Sequence, residues 1–212
     1  MIAFYGASVT QQKSGYAVKL RSKLKEDVKI FGFGGMHLNN AGICYVDKII
    51  ATQPELCFID WFSTAYIDSN HSTIDYLDTI VEKFTKINCK LIFLFFLNTD
   101  HNNRISFYLF CKKYLIDKGI AFCDLNEFME ASPELLRDNV HTTKYGSEKY
   151  SELILNFIKE NRHSLKVVDK TKKTTYSAIS EKRINRIYTK NLKLNGNGKV
   201  IGFLLTIGPH SG

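Results

Sequence analysis

Three residue types that together perform nucleophilic catalysis occur at separate points of this 212-residue sequence. Ser8 follows a short apolar run within the segment Gly6–Thr10, and Asp138 precedes His141 by three residues. An aspartate at that spacing in a turn can bond the Nδ1–H of the histidine, which leaves Nε2 to act as a base towards a serine hydroxyl. Each pattern alone is also typical of a turn or a helix cap. Their order along the chain favours a catalytic interpretation.

Glycines and small polar residues follow the second and third apolar runs. Gly34 and Gly35 end the second run, where missing side chains let a backbone N–H approach a substrate oxygen closely. Ser63 and Thr64 are polar residues that interrupt the end of the third run. The sequence therefore predicts a site assembled from four loops.

The elements that would position these loops alternate between strands and helices, which predicts an α/β fold. We expect a flavodoxin-like three-layer α/β/α sandwich with a five-stranded parallel sheet, whose functional loops lie at the carboxyl ends of the strands. The predicted strands are Ile2–Tyr5, Val28–Phe33, Leu56–Phe62, Lys90–Leu97 and Ile120–Leu125. The predicted helices are Ser14–Lys25, Asn39–Ile50, Ser72–Ile87, Arg104–Lys118 and Thr143–Asn161.

The net charge of +8 comes entirely from the end of the chain. Residues 164–212 hold 10 of the 29 Lys and Arg residues and 2 of the 21 Asp and Glu residues, which leaves 19 of each sign in residues 1–163. We therefore predict a catalytic domain over 1–163 and a basic β-rich segment over 164–212, either complete or part of a longer β domain. So small a segment has little core of its own, so homo-oligomerisation through it is an expectation.

Two interpretations of the basic segment stay open. Its charge suits an acidic glycan, a nucleic acid or an anionic membrane surface, or else it is a solvated strand face whose lysines discourage edge pairing. A nucleic-acid partner is not expected, because the aromatic and basic residues do not interleave as they do in single-strand grooves.

Composition argues against a membrane span, a metal site and a cofactor. The longest apolar run, Leu91–Leu97, is far shorter than the roughly 20 residues that span a bilayer. His71, His101 and Asp100 lack metal-ligand spacing, and no nucleotide-binding glycine motif is present. The five cysteines include no C-x-x-C pair and no secretory pattern precedes Ile2, so we expect reduced core thiols and a cytoplasmic protein.

Residues 2–158 resemble the SGNH (GDSL-type) hydrolase family. Its first motif, usually Gly-Asp-Ser, matches Gly6-Ala7-Ser8, its second-motif glycine matches Gly35, and its Asp-x-x-His motif matches Asp138 to His141. The resemblance implies that Ser8 is the nucleophile, His141 the base and Asp138 the residue that orients it. It also implies an oxyanion hole that includes the N–H groups of Ser8 and Gly35.

The third motif of the family departs from the usual Gly-x-Asn-Asp. Alignment from Pro54 puts Thr64 at the place of the asparagine, with Ser63 one residue earlier, so a hydroxyl would replace the amide donor. Two further residues are weaker candidates for substrate contact. His37 follows Gly35 by two residues, although a loop histidine without a role is the competing interpretation, and Trp61 would line a sugar subsite or belong to the core.

The function that the resemblance implies is a serine esterase that removes an O-acyl group, foremost an O-acetyl group, from a carbohydrate. One alternative is a glycan O-acyltransferase, in which a sugar hydroxyl resolves the acyl-enzyme. The other is a non-catalytic glycan-binding or assembly module with a degenerate oxyanion hole. The expected partner in each case is a small-molecule or glycan ester.

Overall fold

The computed structural model describes residues 1–35, 37–38, 42–62, 71–100 and 105–169. Within these residues the strands are β1 (Ile2–Gly6), β2 (Val28–Gly32), β3 (Leu56–Asp60), β4 (Lys90–Phe95) and β5 (Ala121–Asp124). The helices are α1 (Ser8–Gln11), α2 (Tyr16–Lys23), α3 (Val46–Ile50), α4 (His71–Lys86), α5 (Ile105–Lys118) and α6 (Lys144–Asn161). The predicted β-rich segment lies outside the described residues from residue 170 onwards.

The five strands form one parallel sheet in the order β2-β1-β3-β4-β5. Helices cover both faces of the sheet. Because successive side chains of a strand point to opposite sides, each strand contributes to the core on both faces. In β1, Ala3 and Tyr5 pack into the core under α3, α4 and α5, whereas Ile2 and Phe4 pack into the core under α2 and α6. This alternation confirms the predicted three-layer sandwich.

The main difference from the predicted elements lies immediately after β1. We predicted a loop through Ser8 and a helix over Ser14–Lys25, but a short helix, α1, begins at Ser8 itself, and α2 spans only Tyr16–Lys23. Gln12 separates the two helices because its backbone is extended, with φ −51° and ψ 125°. The nucleophile candidate therefore sits at a helix start.

Three further features of the described residues concern their helices, their thiols and their clusters of titratable side chains. No helix there is long and apolar enough to cross a membrane. Four of the five cysteines are buried free thiols, as predicted, and Cys44 is half-buried. No cluster of three or more His, Cys, Asp or Glu side chains suited to a metal ion occurs among these residues.

Candidate active site

Ser8 is held at the carboxyl edge of the sheet by close backbone packing around Gly6. The N–H of Ala7 donates to the carbonyl of Asp60 at 3.1 Å, which ties the start of α1 to the end of β3. A Cβ at position 6 would lie 2.4 Å from that same carbonyl oxygen, so only glycine allows this approach. Gly32 acts similarly, since a Cβ there would lie 2.4 Å from the Cα of Gln11.

The loop that carries Asp138 and His141 is closed on itself. Leu136 and Thr142 form an antiparallel bridge, and the N–H of Arg137 donates to the carbonyl of His141 at 2.9 Å. Inside the loop, Oδ1 of Asp138 accepts the backbone N–H groups of Val140 at 3.0 Å and His141 at 2.8 Å. This side-chain turn brings the aspartate and the histidine ring together, as the three-residue spacing predicts.

The start of α6 supports the same loop from its other end. The Thr143 hydroxyl caps the helix by accepting the N–H of Gly146 at 2.9 Å. Gly146 allows the helix to lie against the loop, because a Cβ there would be 2.0 Å from the carbonyl oxygen of Leu135.

Ser8, His141 and Asp138 form a continuous chain of hydrogen bonds. Nε2 of His141 lies 2.8 Å from Oγ of Ser8, and Nδ1 lies 2.9 Å from Oδ2 of Asp138. Because a carboxylate can only accept, Nδ1 carries the proton and Nε2 is the acceptor for the serine hydroxyl. This arrangement has the geometry of an activated serine nucleophile.

The charge state of Asp138 suits this arrangement. Burial acts to raise the pKa of Asp138, but hydrogen bonds from the backbone N–H groups of His141 and Val140 and from the His141 ring outweigh it. The pKa of the carboxyl group is therefore held below its ordinary value, and the group is ionised at neutral pH. The side chains of His141 and Asp138 are 27% and 51% exposed, so the dyad lies in an open part of the surface.

The predicted oxyanion donors are partly within the described residues. The N–H of Ser8 belongs to the first turn of α1, where helix N–H groups have no intrahelical partner. Gly35 is exposed and has a φ of +71°, a left-handed conformation that favours glycine. Ser63 and Thr64, the candidates for the third donor, lie outside the described residues.

Comparison with solved structures identifies the fold. A protein from Desulfitobacterium hafniense DCB-2, assigned to the G-D-S-L lipolytic family, matches with a TM-score of 0.63 at 15% identity, over 73% of this chain and 97% of that one. This chain has the SGNH hydrolase fold. An acetyl xylan esterase matches with a TM-score of 0.58 at 18% identity, over 74% of this chain and 98% of that one.

A further match covers only part of its counterpart. A two-domain esterase active on acetylated mannans has a TM-score of 0.62 at 17% identity, over 76% of this chain and 49% of that one. No protein-family model and no curated protein matches the chain.

The two weaker substrate candidates differ in their place in the SGNH fold. Trp61 has no exposed surface and packs edge-on against Tyr5, with ring centroids 5.2 Å apart, and parallel to Phe33 at 6.4 Å. The alternative interpretation of Trp61 as a core residue is therefore correct, because a fully buried ring cannot contact a sugar. His37 is half-buried, its carbonyl accepts the N–H of Gly42, and its substrate role stays a prediction.

Two buried groups, Thr10 and Asp60, bond to each other beneath α1, a contact that the sequence does not predict. The hydroxyl of Thr10 donates to Oδ2 of Asp60 at 3.0 Å and lies 2.9 Å from the Tyr16 hydroxyl. Asp60 has no exposed surface, and Thr10 is 1% exposed. This network fastens the underside of α1 to β3. No sequence spacing signals it, since the partners are 50 residues apart.

A pocket at the carboxyl edge of β3, β4 and β5 was also not predicted. Its cavity volume is about 30 Å³, room for about one water molecule. Five aromatic rings and two amides line it: Phe62, Phe95, Phe96, Phe107, Tyr108, Asn98 and Asn126. The loop after β4 connects this region to the loop that carries Asp138 and His141. The N–H of Thr99 donates to the carbonyl of Asn139 at 3.0 Å, and its hydroxyl donates to Oδ1 of Asn139 at 2.9 Å.

Proposed function

We propose that this protein is a serine esterase that removes an O-acyl group, foremost an O-acetyl group, from a carbohydrate. The observation that carries the proposal is the 2.8 Å contact between Ser8 Oγ and His141 Nε2, with Asp138 on the other ring nitrogen. A surface serine has no structural need for a histidine oriented in this way.

In the proposed reaction His141 removes the proton of Ser8 as Oγ attacks the ester carbonyl. The N–H groups of Ser8 and Gly35 stabilise the resulting oxyanion, together with a hydroxyl of Thr64 or Ser63. The tetrahedral intermediate collapses, and Nε2–H of His141 protonates the departing sugar oxygen. Water then attacks the acyl-enzyme with His141 again as base, which releases the carboxylic acid and restores Ser8.

The carbohydrate substrate rests on two supports. The exposed His141 and Asp138 leave room for an ester carried by a large molecule. Two proteins of the same fold are described as an acetyl xylan esterase and an esterase active on acetylated mannans.

The test is hydrolysis of p-nitrophenyl acetate and p-nitrophenyl butyrate, followed by acetate release from acetylated xylan and mannan. We expect turnover by the wild type that Ser8→Ala and His141→Ala lower by about 10⁴-fold or more, at unchanged melting temperature. Equal rates in all three proteins would refute the esterase. A single burst of p-nitrophenol, with turnover only when a sugar acceptor is added, would instead identify an acyltransferase.

A further inference from the structure

The side chain of Gln12 forms hydrogen bonds with Thr142, the residue that follows His141. Its Nε2 donates to the carbonyl of Thr142 at 3.1 Å. Its Oε1 accepts both the backbone N–H of Thr142 at 3.2 Å and the Thr142 hydroxyl at 3.1 Å. The amide thus makes three of its four possible hydrogen bonds, all to a single residue.

The hydroxyl of Thr142 also connects these hydrogen bonds to α6. It lies 2.6 Å from the Ser147 hydroxyl, and because its one proton goes to Gln12, Ser147 must be the donor. Thr142 is 4% exposed and Ser147 1% exposed, so the bond between their hydroxyls is shielded from water, whereas Gln12 is half-buried. The four bonds together restrict the motion of Thr142 relative to Gln12 and α6.

Through its position, Gln12 connects the segment that carries Ser8 to the loop that carries His141. Gln12 is the C-cap of α1, the four-residue helix that begins at Ser8, whereas Thr142 is covalently joined to His141. Within the described part of the chain, Gln12 is the one side chain besides Ser8 that bonds from α1 and its cap to the loop of His141. The loop's other bonds are internal, lead to α6, or join Asn139 to Thr99 in the loop after β4.

We infer that Gln12 is a positioning residue that sets the distance between Ser8 Oγ and His141 Nε2. The inference rests on the proposed function, since that distance matters to a rate only if Ser8 is the nucleophile. Gln12 itself reaches neither the reacting atoms nor the ring of His141. Its effect passes through the backbone of Thr142.

The main test compares Gln12→Met, which keeps the length of the side chain and loses all three bonds, with the wild type. We expect kcat for p-nitrophenyl acetate to fall about 10- to 100-fold with KM nearly unchanged, because a displacement of about 1 Å costs up to 10²-fold. Gln12→Glu keeps an oxygen for both Thr142 donors, so its kcat should lie between those of the wild type and Gln12→Met. It replaces Gln12→Met in the test if that variant does not fold. Lys19→Met is the control, because it removes a tie between α2 and α6, the bond from Lys19 to Glu148, without touching α1 or the loop.

A second measurement does not depend on turnover. The imidazole ¹⁵N resonances of His141 report the hydrogen bond to Ser8, and in Gln12→Met they should move towards those of Ser8→Ala. Resonances and kcat both within error of the wild type in a folded Gln12 variant would overturn the positioning role. An inactive wild type whose His141 resonances still respond to Gln12→Met would refute the esterase and leave the positioning role standing.

Discussion

Replacing Asp138 by asparagine separates two things that its carboxylate does. Oδ1 accepts the backbone N–H groups of Val140 and His141, while Oδ1 and Oδ2 both lie within 3.0 Å of Nδ1 of His141. The asparagine oxygen can still accept the two backbone donors. Its NH₂ group then faces Nδ1, which has to become an acceptor. The ring proton moves to Nε2, where it prevents acceptance of the Ser8 proton.

The expected magnitudes follow from this division. For Asp138→Asn, kcat should fall about 10⁴-fold, the cost typical of the wrong tautomer in a triad. The melting temperature should stay near that of the wild type, because the turn keeps its acceptor. Asp138→Ala loses that acceptor as well, and its unfolding free energy should fall by about 1 kcal/mol, as for loss of a helix cap.

The assay is p-nitrophenyl acetate turnover at pH 7 beside thermal unfolding of both variants. The ring ¹⁵N shifts of His141 give the tautomer directly. Retention of more than a tenth of the wild-type kcat in Asp138→Asn would refute the argument that the carboxylate sets the tautomer. A melting temperature as low as that of Asp138→Ala would refute the argument that Oδ1 alone holds the turn.

Two further outcomes are expected. Gly35→Ala should lower the unfolding free energy by about 1 kcal/mol, because an alanine is strained at φ +71°, although its Cβ meets no atom within 4 Å. If the Gly35 N–H also donates to the oxyanion, kcat of the folded variant should fall as well. Lys112→Met removes the cation 2.9 Å from the buried Asp124 carboxylate and should lower the unfolding free energy by roughly 2 kcal/mol at pH 7 in urea titrations. Burial acts to raise the pKa of Asp124, but hydrogen bonds from Tyr108, Asn126 and Lys112 hold it below its ordinary value. The wild type should therefore keep this contribution above about pH 4 and lose it as the pH falls through the folded-state pKa, whereas the acid limb of Lys112→Met should begin at higher pH. Identical acid limbs, or an alanine at position 35 that leaves stability unchanged, would contradict these assignments.

The sheet could be predicted because it follows from local patterns. The meeting of Ser8 with His141, 133 residues apart, could be predicted because the sheet brings their loops to one edge. Apolar runs such as Lys90–Leu97 are continuous only when a strand is covered on both faces, and parallel strands bring their carboxyl-end loops to one edge. The Asp138 turn is local as well, since its bonds span two or three residues. Short-range chemistry of this kind can be read from one sequence.

The rest of the site depends on contacts between distant segments. Gln12 and Thr142 are 130 residues apart, and nothing in the residues around Gln12 distinguishes it from an exposed glutamine. Trp61 was assigned to two environments because an aromatic residue at a strand end suits either a subsite or a core, and only its packing against Tyr5 decides between them. The start of α1 at Ser8 was missed because α1 has only four residues, too few to show a helical pattern of apolar residues.

The arrangement around Ser8 favours a catalytic role over a binding module with a degenerate site. A binding surface would gain nothing from the left-handed Gly35 or from a histidine held at 2.8 Å from a serine. Gly6 lies close to the carbonyl of Asp60 near Ser8, and Gly146 lies close to the carbonyl of Leu135 near the loop of His141. Each contact requires a glycine and adds nothing to the binding of a ligand. Thr64 in place of the asparagine usual in SGNH hydrolases would lower the rate about 10²- to 10³-fold if no hydroxyl replaced its bond. The proposed esterase would then be slower but still active, since the rate enhancement that a triad provides is larger than the contribution of one donor.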